Sequence, residues 1–163
     1  MSTAERRQAR ITALQTLYEV DTTEHTAEEV MLRLFNEPMS ESQPEGDPLV
    51  EDVRSYARTL VEGAVEHQGD LDEIIARSAP NWPVAQMSSI DKNILRLAIF
   101  EILFDNRVPL KAAINEAVEL GKRFGSDSSS RFINGVLGTV AAEHQQLRRK
   151  YNKAAPGATA NQE

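Results

Sequence analysis

The 163-residue chain contains no cysteine and only three histidines, His25, His67 and His144, scattered along its length. Without thiols it can build neither a disulfide framework nor a thiolate zinc site. The histidines show no His-x-x-x-His or Glu-x-x-His spacing, so the usual basis for a metal centre is missing and no metal or cofactor is expected. Gly-x-x-x-x-Gly-Lys, Gly-x-Gly-x-x-Gly and Gly-x-Ser-x-Gly are also absent, which removes the common ways of cradling a phosphate or raising a nucleophile. No strand-like alternation of useful length occurs. The apolar run near residue 100 is too short, and too interrupted by Asp91, Lys92, Arg96 and Glu101, to supply the roughly 20 residues of a membrane span. Glu5, Arg6, Arg7 and Arg10 stand where a signal peptide would carry its apolar core, so the expected address is cytoplasmic.

Net positive charge is lacking as well. The formal charge of −7 argues against bulk, non-specific nucleic-acid binding but leaves room for a local basic patch. From Thr22 to Val53 nine acidic side chains face a single Arg33, while the basic residues cluster at Arg6, Arg7 and Arg10 and again at Arg148, Arg149, Lys150 and Lys153.

What is present is helical periodicity. Between Ser88 and Phe104 apolar residues cover almost every face, which predicts a central helix surrounded on all sides, with Ser88 as its cap. Ser2-x-x-Glu5 is a capping box ahead of a first helix from about Thr3 to Asp21, and Thr26-x-x-Glu29 opens a short second one that stops near Glu37. Residues 37–48, rich in proline and acid, read as a mobile loop without chemistry. A third helix is predicted over Leu49–His67, with Gly69-Asp70 ending it and starting a short fourth. Ala79-Pro80-Asn81-Trp82-Pro83 reads as a rigid connector whose Trp82 plugs the core between two helical halves. A sixth helix follows Pro109 and stops at Gly125. Ser126 to Ser130 then offer caps for a last helix, in which Gly135 and Gly138, each costing roughly 1 kcal/mol relative to Ala, are expected to admit a close neighbour. Beyond Tyr151 the chain has little to bury and is expected to be a disordered tail.

Two local features bear on function. Arg6 and Arg10 share the stripe of Ala13 and Leu17, and Arg7 lies above Ile11, Leu14 and Tyr18. Cations in the first turns of a helix oppose its macrodipole by roughly 0.3–1 kcal/mol each, so stability alone does not select them. They are either solvated residues facing the acidic stretch or the seat of an anionic ligand. Arg131-Phe132 at a helix start sets a cation beside an aromatic ring, the pairing used on single-stranded nucleic acid, although a phenylalanine there also suits a core. The best acid pair, Glu116 and Glu119, are neighbours on one helix face with no sign of a cleft to split their pKa values, so no enzyme is expected.

RRQARITALQTLYEVD at 6–21, Trp82, IDKNILRLAIFEIL at 90–103, VPLKAAINEAVELGKRFGS at 108–126 and RFINGVLG at 131–138 together resemble the NusB family of transcription antitermination factors. The resemblance implies an all-α bundle of about seven helices in two small three-helix-like subdomains, about 1–80 and 81–151, around the central apolar helix, with 152–163 as tail. It implies a non-catalytic factor that binds single-stranded boxA-type RNA of ribosomal RNA leaders together with NusE, a small-subunit ribosomal protein, within RNA polymerase antitermination complexes. Arg6, Arg7, Arg10 and Tyr18 would form one wall of the RNA site, with Arg131 and Phe132 opposite, and Asp91 and Lys92 would lie near the partner surface. Some family members self-associate and cover the RNA site, so the resemblance leaves both a monomer and a homodimer open. Where the family commonly has Gly-Ser-Glu-Asp-Ser, this chain reads Gly125-Ser126-Asp127-Ser128-Ser129, which puts a hydroxyl at Ser128 to cap the helix or bond a base. The competing reading is a protein-interaction bundle whose arginines meet an acidic partner.

Overall fold

A computed structural model of the chain describes residues 1–36, 48–105 and 107–151. Among these residues there are eight α-helices, one 3-10 turn and no strand, so the fold is all-α with one helix more than expected. The acidic loop expected at 37–48 lies outside the described residues apart from Pro48, and the tail 152–163 lies outside them entirely. The chain divides into two units between Glu66 and His67.

The first unit holds α1 (Thr3–Thr22), α2 (Ala27–Asn36) and α3 (Pro48–Glu66). Ser2 caps α1 by accepting the Glu5 N–H at 3.1 Å. Thr26 and Glu29 form the reciprocal box at the start of α2, Glu29 N–H to Thr26 Oγ1 at 3.2 Å and Thr26 N–H to Glu29 Oε2 at 3.3 Å. Pro48 opens α3 at a position where a missing N–H costs nothing. Ala9, Ala13, Leu14 and Leu17 of α1, Val30 and Met31 of α2, and Tyr56, Ala57, Leu60 and Val61 of α3 are buried. Glu19 on α1 ties down the start and end of α2, accepting from Arg33 and lying 3.0 Å from His25 Nδ1. The Arg33 hydrogen bond first, and the His25 contact second, hold the Glu19 carboxyl below its ordinary 4.5.

The second unit holds α4 (Gln68–Ser78), a 3-10 turn at Val84–Gln86, α5 (Ser89–Leu103), α6 (Leu110–Phe124), α7 (Ser129–Ala142) and α8 (His144–Tyr151). As anticipated from its all-round apolar surface, α5 is the helix the others enclose: α4, α6, α7 and α8 all pack on it, and every residue from Asn93 to Leu103 is buried. Ser88 caps it by accepting the Asp91 N–H at 3.1 Å. The price of that position is two enclosed charges, Arg96 and Glu101. Arg96 meets Asp72 of α4 through two parallel bonds, Nε to Oδ1 at 2.7 Å and Nη2 to Oδ2 at 2.8 Å, and its Nη1 donates to Asn93 Oδ1 at 3.2 Å.

The chain divides at the Glu66–His67 bond, and the Asp72–Arg96 pair joins α4 to α5 within a second unit of five helices. Three expectations are corrected. Gly69 does not end α3; the break falls at His67, whose ring turns to stack on Phe104 at 4.1 Å, and Gly69 lies in the first turn of α4. Nothing lies close enough to Gly135 or Gly138 to need a glycine, whereas a Cβ on Gly121 would stand 2.8 Å from Ile133 Cδ1 and 3.4 Å from the Ser130 backbone. The close approach of α6 and α7 is therefore permitted by Gly121 on α6. The last helix is also broken at Glu143, a turn that brings Arg148 of α8 to donate from Nε and Nη2 to the Ile102 carbonyl at 3.1 and 2.6 Å. Tyr151 completes the return by donating to Glu73 of α4 at 2.8 Å.

Asp72→Ala should lower stability by about 3 kcal/mol, the low end for orphaning a buried charge because Asp72 itself is partly exposed, while Asp72→Leu with Arg96→Met should recover part of that loss; urea denaturation measures both. For Glu19 the folded pKa lies below the unfolded one, so the Arg33 contact stabilises above the unfolded value and its contribution disappears as pH falls through the folded value. In an NMR carboxyl titration, Arg33→Gln should raise the Glu19 midpoint; an unchanged midpoint would show that the contact is not populated in solution.

Candidate nucleic-acid interface

The residues expected to meet RNA fall on two elements, the outer face of α1 in the first unit and the start of α7 in the second. On α1 the stripe Arg7–Ile11–Leu14–Tyr18 has a buried middle and two exposed ends, with Tyr18 43% exposed and Arg7 in solvent. The helix thus presents a cation and an aromatic ring about three turns apart on the edge of a face whose centre is core. Arg6 is half-buried, and its guanidinium carbon stands 5.2 Å from the centroid of the Tyr56 ring on α3. That cation–π contact fixes the side chain and leaves Nη1 enclosed without a hydrogen-bond partner. Neighbouring Glu5 has Oε2 in the same condition. Arg10 departs from the expectation: at 4% exposure it is part of the packed interior, not a cation presented to solvent, because its stripe continues into Ala13 and Leu17.

At the start of α7 the chain turns sharply after α6. A Cβ on Gly125 would collide with the Ser129 side chain, so this tight turn requires glycine. Ser129 is the inner anchor, 1% exposed, with its Oγ accepting the Ser126 N–H at 2.8 Å. Ser128 faces outward and forms no side-chain cap; its hydroxyl lies 3.3 Å from that of Ser126. Of the two roles expected for Ser128, capping is thereby removed. Arg131 is exposed in the first turn of α7, and Phe132 beside it is half-buried.

Phe132 packs against the residue that sequence reasoning placed wrongly. Trp82 is 54% exposed, not a core plug, and its ring lies 6.2 Å from Phe132 at an angle of 53°. The backbone explains the exposure: Trp82 N–H bonds to the Ala79 carbonyl at 3.1 Å in a turn flanked by Pro80 and Pro83, which holds the indole off the helices. The available signal was its setting, a lone Trp between Asn81 and Pro83, with Pro80 two positions before it and no apolar periodicity around it. Trp82, Phe132, Phe124 and Ile90 form the apolar wall of a cavity of about 620 Å³, with Arg131 and Asp91 among its polar lining. Asp91, in the first turn of α5, has Oδ1 enclosed without a partner, and Lys92 beside it is half-buried.

Among the described residues no group of three or more His, Asp or Glu side chains converges as metal ligands, and no helix is long and apolar enough to cross a membrane.

A model of the NusB family matches residues 7–142. The chain is 50% identical over 146 residues to the transcription antitermination protein NusB of Roseiflexus sp. (strain RS-1), a match that spans 88% of this chain and 96% of that protein. Among solved structures, NusB of T. maritima superimposes with a TM-score of 0.72 at 28% identity, covering 87% of this chain and 95% of that one. A structure of antitermination factors NusB and NusE in complex with dsRNA contains a chain of the same fold, with a TM-score of 0.70 at 24% identity over 92% of this chain and all of that one. With α1 from Arg7 onward, the enclosed central helix and the α6–α7 turn inside the matched span, the chain belongs to the NusB family.

Proposed function

We propose that this protein is a non-catalytic RNA-binding factor of transcription antitermination in ribosomal RNA operons, acting in the cytoplasm on boxA-type single-stranded RNA together with NusE in RNA polymerase antitermination complexes. The observation that carries the RNA reading is the Arg6–Arg7 pair at the start of α1. Two cations occupy the positive end of a helix macrodipole, and one of them keeps an N–H group enclosed without a partner. A phosphate oxygen answers the first condition, and the second once the Arg6 side chain turns outward from the Tyr56 ring. In this reading Arg6 and Arg7 take phosphates, Tyr18 on α1 and Phe132 on α7 offer rings to bases, Arg131 supplies a further cation and Ser128 a hydroxyl. Arg10 supports α1 from within. A single strand suits these rings better than a duplex, because only unpaired bases can leave their own stack for an aromatic side chain.

Asp91 and Lys92 are assigned to the protein partner. The Asp91 Oδ1 atom is an acceptor with no donor among the described residues, which a donor from NusE would supply. Relatives named as antitermination proteins, and a fold neighbour solved with NusE and dsRNA, support the pairing with NusE, though not the choice of a single strand.

Titration of labelled boxA-type RNA at several salt concentrations tests the assignment. Each phosphate contact on a single strand contributes about −0.7 to the slope of log affinity against log salt, so Arg6→Ala with Arg7→Ala should flatten that slope by about 1.4. Phe132→Ala should weaken binding by about 1–3 kcal/mol with little change in slope, circular dichroism confirming the fold. A double arginine variant that keeps the parent slope would remove the site from α1. NusE should form a one-to-one complex that tightens RNA binding, and equal RNA affinity with and without it would eliminate the coupling.

A further inference from the structure

We infer that Trp82, with Phe132 behind it, forms a nucleobase pocket in the second unit that accepts one unstacked base of the bound RNA. This rests on the RNA reading above and adds a site that reading does not contain. An indole that is 54% exposed, in a chain with one tryptophan, lies beside apolar Ile90 and Phe124 and yet is not folded over them. The turn between Pro80 and Pro83 holds it there, and the Gln86 N–H bond to the Pro83 carbonyl at 2.9 Å ties the far side of the turn to the 3-10 segment. The ring is therefore preorganised, and a base landing on it forgoes little side-chain freedom.

The dimensions decide how a base would sit. The Trp82 and Phe132 centroids are 6.2 Å apart and the rings are tilted by 53°, so the two are already in contact and no base fits between them. The base must stack on the side of the indole that Phe132 leaves open, with Phe132 bracing the ring. The cavity of about 620 Å³ falls within the roughly 300–1,000 Å³ of small-ligand sites and is walled by apolar side chains, as a base face requires. Charge sets the direction. Arg131 attracts the phosphate, while the Asp91 carboxylate repels it, so the backbone passes on the Arg131 side. A protein side chain is the other possible occupant. A base is favoured because the pocket continues directly into Ser128, Arg131 and Phe132, the elements assigned to RNA.

The single tryptophan makes the test direct. With 5-fluorotryptophan incorporated into this chain, boxA-type RNA should shift the one fluorine resonance, and NusE without RNA, which is assigned only the Asp91 edge of the pocket, should move it less. Trp82→Ala should weaken RNA binding by roughly 5- to 150-fold with the salt slope unchanged, and Trp82→Phe should restore most of it. Replacing RNA bases one at a time by abasic sites should reveal one position whose loss weakens the parent by that factor and the Trp82→Ala protein hardly at all. RNA that binds with the arginine-dependent slope but leaves the resonance unmoved, or abasic losses that add to Trp82→Ala at every position, would overturn the pocket and leave the α1 site standing. A resonance that moves with NusE and not with RNA would assign the pocket to protein. If the parent binds no RNA, both readings fall together. Should Trp82→Ala not fold, the fluorine and abasic measurements on the parent still decide.

Discussion

A guanidinium enclosed in the middle of an otherwise apolar helix sets the plan of the second unit. Removing Arg96 from water without compensation would cost several kcal/mol, so α5 can occupy the interior only where a carboxylate meets it in bidentate geometry and a further acceptor takes an Nη1 donor. Asp72 and Asn93 supply both, and Asn93 in turn donates to the Ser89 carbonyl at 2.8 Å. Apolar contact alone would let α4 slide or rotate along α5, whereas a two-bond fork fixes its register. The placement of the other helices around α5 then follows from which of its faces remain uncovered.

Most of this was legible as periodicity. The caps at Ser2, Thr26 and Ser88, the stop at Gly125 and the all-round apolar surface of α5 are local signals, each decided by residues three or four apart, and each reappears in the structure. Misjudged were features that depend on distant partners. Arg96 looked like an interruption in an apolar run because its carboxylate lies 24 positions away. Gly135 and Gly138 looked like contact points, yet the residue under pressure is Gly121, where a side chain from α7 arrives. Spacing tells which residues share a face; it does not say what comes to rest on that face.

The candidate site shows the same limit in another form. The α1 stripe was identified correctly as a face, but helical spacing carries no depth, so Arg10 counted equally with Arg7 although one is interior and the other is in solvent. Trp82 was misplaced for the opposite reason. The strong average preference of a large apolar ring for burial was applied to a residue whose backbone, set by two prolines, leaves it no route inward.

The Arg148 contact with the Ile102 carbonyl bears on how the chain is made. All three helices of the first unit are encoded before residue 67, so that unit can close as soon as those residues emerge during synthesis. The Ile102 carbonyl near the end of α5, by contrast, waits for a donor 46 positions downstream. Until α8 has been synthesised, the central helix of the second unit has one carbonyl without its protein donor and one side uncovered. The nascent chain therefore passes through an interval in which its first unit is finished while α5 is exposed, and that interval, rather than the finished fold, is when this sequence most needs protection from aggregation.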